Sequence, residues 1–155
     1  MERRGPDNAS EREVARRVSL RLARQAVLTR EPDPLVLSVV LDESVLLRVA
    51  GNEDVMRGQL DRLLRDARSP RIHVRVLPLR LGEFSGGFGS FSVLTAPESD
   101  QPYMAYVRDR SGPHYLERPW EVQAHIELFN YLEDVVLSHF ESLVLIDTVN
   151  RERYQ

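Results

Sequence analysis

The stretch Arg71-Ile72-His73-Val74-Arg75-Val76-Leu77-Pro78 alternates polar and apolar residues almost to its end. Ile72, Val74 and Val76 fall on one side and Arg71, His73 and Arg75 on the other, the period of a strand with one dry face. Immediately upstream the period changes. Met56, Leu60, Leu63, Leu64 and Ala67 recur at three- and four-residue spacing, opened by Asn52 and closed by Ser69-Pro70, which predicts an amphipathic helix with its own cap. Before it, Asp42 is placed to cap a short helix running through Val49, with Gly51 as a left-handed stop. Leu35 to Leu41 is a valine-rich apolar run of the kind that forms a buried strand. A strand, two helices and a strand predict a parallel pair joined by a right-handed crossover.

The rest of the chain extends this α/β pattern. Ser10 and Glu13 form a capping box ahead of a helix carrying Val14, Val18 and Leu22, expected to reach Leu28 before Glu31-Pro32-Asp33-Pro34. Residues 1–9 read as a flexible leader, and 10–155 as a single domain. Phe91 to Thr95 and Tyr103 to Arg108 read as strands joined through a Pro97–Pro102 turn, with His114 to Glu117 as a short further piece. Pro119 suits the first position of a long helix with Ile126, Phe129, Leu132 and Val136 on its buried side. Ser138 and Glu141 form a second capping box before a last helix carrying Leu143, Val144 and Ile146. The expected architecture is α/β, a small mixed sheet of about four to five strands packed with N-terminal, central and C-terminal helices.

Composition bounds the chemistry. The chain has 155 residues, 42% hydrophobic and 29% charged, and no cysteine. That is the balance of a globular domain without disulfides, thiolate metal sites or a cysteine nucleophile. All 21 basic residues are arginine, so a lysine Schiff base and a P-loop lysine are excluded. Residues 1 to 30 hold eight arginines against Glu2, Asp7, Glu11 and Glu13, whereas the remainder is acidic. An acidic body is a poor phosphate-binding surface, so no direct nucleic-acid partner is expected. No apolar run approaches the ~20 residues of a membrane span, and the first residues lack a signal-peptide core. A cytoplasmic location and no membrane partner are expected.

A spaced series of short motifs crosses most of the chain: Arg24-Gln25, Leu41-Asp42-Glu43 with Arg48 and Gly51, Met56-x-x-Gln59-Leu60, Val76-Leu77-Pro78, Gly89-x-Phe91 and Leu137-Ser138-x-x-Glu141-Ser142. Over roughly residues 12 to 150 the series resembles the domain of unknown function that follows an Xre-type helix-turn-helix in actinobacterial regulators. The resemblance implies a domain that responds to a ligand or partner. No helix-turn-helix pattern occurs ahead of the motifs, so a stand-alone domain is expected here. It would pair with a helix-turn-helix regulator or with itself, through the helix bearing Val14, Val18 and Leu22. Where related domains show a tyrosine, one residue and a glutamate, this chain has Tyr106-Val107-Arg108. The reversed charge favours a ligand bearing carboxylate or phosphate.

Candidate ligand-binding residues are therefore Glu43, Arg48, Phe84, Phe88, Tyr106, Arg108 and Trp120. Asp42 reads as a helix cap, and Glu43 as facing a ligand or pairing with Arg48. Phe84 and Phe88, among Gly82, Gly86, Gly87 and Gly89, suit a flap over a pocket or a core anchor. Arg108 alternatively pairs with an acid on the C-terminal helices. Trp120 is expected to cover a core edge. The rival function is a small cofactor-independent cyclase or isomerase in a secondary-metabolite pathway, with Glu83, Tyr106, Asp109 and His114 as acid-base candidates. No cofactor is expected, and no metal, since none of the four histidines shares a ligand spacing with another.

Overall fold

The computed structural model describes residues 10–82, 89–96, 102–109 and 111–154. The chain divides into two compact units, Met1–Leu37 and Ser38–Gln155.

In the first unit, helix α1 (Glu11–Gln25) starts at Ser10, whose hydroxyl accepts from the Glu13 amide at 3.2 Å. Its last turn tightens into a 3₁₀ segment, Ala26–Leu28, so the helical stretch ends where Pro32 and Pro34 require extended chain. No residue of α1 is buried, and Val14, Val18 and Leu22 are exposed large hydrophobics. Arg17 and Arg16 reach Glu13 along the helix surface.

The second unit is built from strand β1 (Leu37–Asp42), helices α2 (Ser44–Leu47) and α3 (Glu53–Asp66), strands β2 (Ile72–Leu77), β3 (Phe91–Thr95), β4 (Pro102–Asp109) and β5 (Gly112–Leu116), and helices α4 (Pro119–Val135) and α5 (His139–Tyr154). Strand β1 begins at the last residue of the first unit. The class is mixed α/β, with five strands among the described residues. They are divided between two sheets, β1-β2 and β3-β4-β5, rather than gathered in one. The amide of Glu43, just past β1, donates to the carbonyl of Leu77 at the end of β2. The two carboxyl ends thus lie side by side, as a parallel pair requires.

The first sheet stops at two strands because the far edge of β2 is already occupied. Val74 and Val76 turn their backbone groups to the side opposite the Leu77 carbonyl, where they meet Leu137 ahead of α5 and the first turn of α5 itself. The Val76 amide donates to Ser142 Oγ at 2.9 Å, and the Leu137 amide donates to the Val76 carbonyl at 3.0 Å. His139 Nδ1 lies 3.1 Å from both the amide and the carbonyl of Val74, so one tautomer accepts and the other donates. Ser142 Oγ in turn donates to the Ser138 carbonyl at 2.7 Å. Ser138 and Glu141 close a capping box at the same place.

Core positions follow the predicted periods for β2 and α3. Val74 and Val76 are 0% exposed, and Met56, Leu60 and Ala67 are buried. Asn52 caps α3 through the Val55 amide, and Gly51 takes φ 85, a left-handed conformation that favours glycine. In α5 the pattern differs from expectation. Ile146 is buried as predicted, but Val144 is exposed, and the buried face is completed by Ser142, Val149, Asn150 and Tyr154. Polar residues can sit there because each makes a hydrogen bond, although the Asn150 Oδ1 atom is buried without a partner among the described residues. Asn150 Nδ2 donates to Asp61 on α3, and the Tyr154 hydroxyl donates to the Leu46 carbonyl. In α4, Pro119 is the first residue as predicted. Val122 is its buried residue, while Ile126, Phe129 and Leu132 are half-buried.

Candidate functional site

The Leu41-Asp42-Glu43 motif stands where β1 ends, and its polar groups are spent on the backbone. Asp42 Oδ1 accepts from the Ser44 amide at 2.8 Å. The Glu43 amide holds Leu77, and Glu43 Oε2 accepts from the Leu79 amide at 2.7 Å. Capping by Asp42 is therefore as expected. Glu43 is a tie between strand ends, and it pairs with Leu79 rather than with Arg48. The helix predicted through Val49 is a single turn, because Arg48 leaves it with extended backbone at ψ 112.

That turn places Arg48 on the rim of an open concavity of about 510 Å³ lined by Asp42, Ser44, Arg48, Leu79, Gly89 and Ser90. Two separate motifs converge on it: Asp42 and Arg48 come from the Leu41-Asp42-Glu43 motif with its following arginine, and Gly89 from Gly89-x-Phe91. Gly89 takes φ 62, so its backbone needs glycine. Among the described residues Arg48 makes no ion pair and the hydroxyls of Ser44 and Ser90 make no hydrogen bond. The opening lies outside the carboxyl ends of the paired strands, where α/β sheets place ligands. An unpaired guanidinium, two free hydroxyls and one carboxylate offer both anion- and cation-binding groups. Of the predicted residues, Arg48 lines this opening, and Glu43 is tied to Leu79, which also lines it. Ser44, Leu79 and Ser90 were not anticipated. The position of Gly89 in a motif and of Asp42 at a strand end were the available signals.

The second predicted group gathers at the β4–β5 turn. Asp109 Oδ1 accepts from the Ser111 amide at 2.7 Å, the Ser111 hydroxyl at 2.6 Å and the Gly112 amide at 3.2 Å. His114 Nε2 lies 3.1 Å from the same oxygen and 2.7 Å from Ser111 Oγ. The Ser111 hydroxyl, followed by His114 and the Ser111 amide, lowers the Asp109 pKa from 3.8 to about 2. The pairing of Asp109 with His114 is as predicted, yet both Asp109 and Ser111 meet the same ring nitrogen. A relay needs the two nitrogens divided between an orienting group and a reacting one. Asp109 is 58% exposed, and this arrangement braces a hairpin turn.

Tyr106 and Arg108 lie on β4 and are not among the residues that line the opening. Tyr106 faces Tyr115 across the strands, ring centroids 5.3 Å apart. Arg108 makes no ion pair among the described residues, so the alternative reading, a pairing with an acid on the C-terminal helices, is not formed. Trp120 is 66% exposed and does not cover the core edge. It stands two residues from the buried Val122, over half a turn around α4, so burying one turns the other outward. Glu83, Phe84 and Phe88 lie outside the described residues.

His125 Nδ1 contacts the Glu121 carbonyl at 2.8 Å, and His139 serves the β2 edge, so both are satisfied, partly buried histidines. Among the described residues no group of three His, Asp or Glu is placed to hold a metal ion. No helix of the described residues is long and apolar enough to cross a membrane. No curated protein and no solved structure matches the chain. Residues 1–148 do match a protein family, and the chain belongs to it: the domain of unknown function DUF5753.

Proposed function

We propose that this chain is a sensory or protein-interaction domain of a transcription-regulator family of the Xre helix-turn-helix type, as found in actinobacteria. In this reading it works in the cytoplasm and binds a small ligand or a regulator partner, while DNA contact belongs to another module. The observation that carries the reading is the convergence of Asp42, Arg48 and Gly89 on one opening at the strand ends. Residues far apart in the chain are held there by ties such as Glu43 to Leu79, which serve the shape of the opening. A binding role needs that shape and an unpaired polar group, and both are present. The exposed Val14, Val18 and Leu22 on α1 suit a docking surface for a partner helix.

Native against denaturing mass spectrometry on gently purified protein tests the ligand half. A small molecule retained by the wild type and lost in Arg48→Ala supports it; retention unchanged by Arg48→Ala removes the opening as its site. Analytical ultracentrifugation tests the partner half. A monomer at every concentration, with no regulator co-purifying, would falsify the docking role of α1.

A further inference from the structure

The three-stranded sheet has two chemically different faces. Paired residues in an antiparallel sheet share a face, and successive residues alternate. Phe91 with Val107, Val93 with Ala105, and Ala105 with Leu116 therefore lie on one face. Helix α4 covers it: the Phe91 and His125 rings meet at 5.3 Å, and Ala105 is fully buried. Leu94 with Met104, Tyr106 with Tyr115, and Arg108 with Pro113 lie on the opposite face.

That second face carries an unusual combination. The Tyr106 and Tyr115 rings sit 5.3 Å apart at an interplanar angle of 57°, and Tyr115 is 61% exposed. Two residues along β4, about 7 Å away at strand rise, Arg108 projects from the same face. Among the described residues its guanidinium makes no ion pair, and neither phenol hydroxyl makes a hydrogen bond. Leu94 and Met104 form an apolar border beyond the tyrosines. Phenol rings and a thioether favour flat π surfaces, and a planar guanidinium favours carboxylate or phosphate oxygens.

We propose that this face binds a small flat aromatic molecule bearing one carboxylate or phosphate group. The ring lies against Tyr106 and Tyr115, and the anionic group meets Arg108. A polymer of phosphates is the poorer match, because residues 38–155 hold 13 arginines against 18 acids. This site uses none of the residues at the strand-end opening, so either can fail without the other.

Indole-3-carboxylate and adenosine 5′-monophosphate supply the ring with each anionic group, and indole and adenosine are their uncharged counterparts. Titrations of the full chain are followed by NMR of the tyrosine ring signals. The expected result is saturable shifts at Tyr106 and Tyr115, with at least one charged probe bound about ten-fold more tightly than its counterpart. Which charged probe wins decides between carboxylate and phosphate. Arg108→Gln should abolish the preference for charge while leaving the weak ring contact, and Tyr115→Ala should weaken charged and uncharged probes alike. If Tyr115→Ala loses its fold, Tyr115→Leu keeps an apolar cross-strand contact and settles the same point. Three results overturn the proposal: no shift at either tyrosine, equal affinity for charged and uncharged probes, or a charge preference that survives Arg108→Gln. Tighter, salt-dependent binding of a single-stranded oligonucleotide than of the mononucleotide also overturns it, in favour of a nucleic-acid surface.

Discussion

Two clusters of side chains in this molecule do the same local task in opposite surroundings. At the β2 edge, Ser142 accepts from the Val76 amide, with both residues completely buried. At the β4–β5 turn, Asp109 accepts from two amides and a hydroxyl while more than half exposed. The exposed cluster has more hydrogen bonds and a charge. The buried one should nonetheless matter far more, because water can replace a lost bond at the turn and cannot reach the Val76 amide. Hydrogen-bond count is therefore a poor guide to which polar residues hold this fold.

The sharpest way to break that comparison is Ser142→Ala. It leaves the Val76 amide buried without an acceptor and should cost about 1–3 kcal/mol in urea denaturation. A change within error would mean that the β2 edge relaxes or admits water. Ser138→Ala removes an exposed helix cap on the same turn and should cost about 1 kcal/mol. An effect as large as that of Ser142→Ala would show that the capping box positions Ser142 as well as starting the helix. Asp109→Ala should lower the denaturation midpoint at neutral pH by less than Ser142→Ala does, with faster amide exchange at Ser111 and Gly112. A drop as large as that of Ser142→Ala would show that the hairpin turn is coupled to the core.

Acid provides the smallest and most specific test. Asp109 is held at about 2 against an ordinary 3.8, chiefly by the Ser111 hydroxyl. A carboxyl that is more acidic in the folded chain stabilises it above its unfolded pKa. That contribution should fade as pH falls from about 4 towards 2 and be absent in Asp109→Ala. Glu141 is lowered in the same direction by the Ser138 hydroxyl and amide, and its contribution also falls away in acid. NMR titration of the two carboxyl carbons reads both directly. An Asp109 midpoint near the ordinary value would mean that the turn cluster does not persist in solution.

Much of the local structure was legible because its signals are local. The Ser10–Glu13 and Ser138–Glu141 boxes, the Asn52 cap, Pro119 at the start of α4 and the alternation of Ile72, Val74 and Val76 each lie within a few residues. Their physics is complete within one turn or one strand. What escaped was set by long-range contacts. Nothing near Glu43 says that its carboxylate meets the Leu79 amide, 36 residues on. Nothing near Ser142 and Asn150 says that polar residues will line the buried side of α5, because their partners are on β2 and α3. Trp120 misled through size: a large ring suggests burial, but the helical phase set by Val122 turns it outward. The candidate site was legible in part. Arg48 and the strand-end position of Asp42 could be read, whereas Ser44, Leu79 and Ser90 enter only through the three-dimensional path of the chain.

The closed edge of β2 also has a consequence for how the chain is made. Val74 and Val76 wait for partners 65 and 66 residues later, and Leu46 waits 108 residues for the Tyr154 hydroxyl. During synthesis the first sheet therefore exists with an open, valine-rich edge until residues 137–142 have emerged. Such an edge is a template for pairing with other chains. Arrested or truncated products ending before residue 139 should aggregate, and the C-terminal helix is in that sense the chain's own protection against its neighbours on the ribosome.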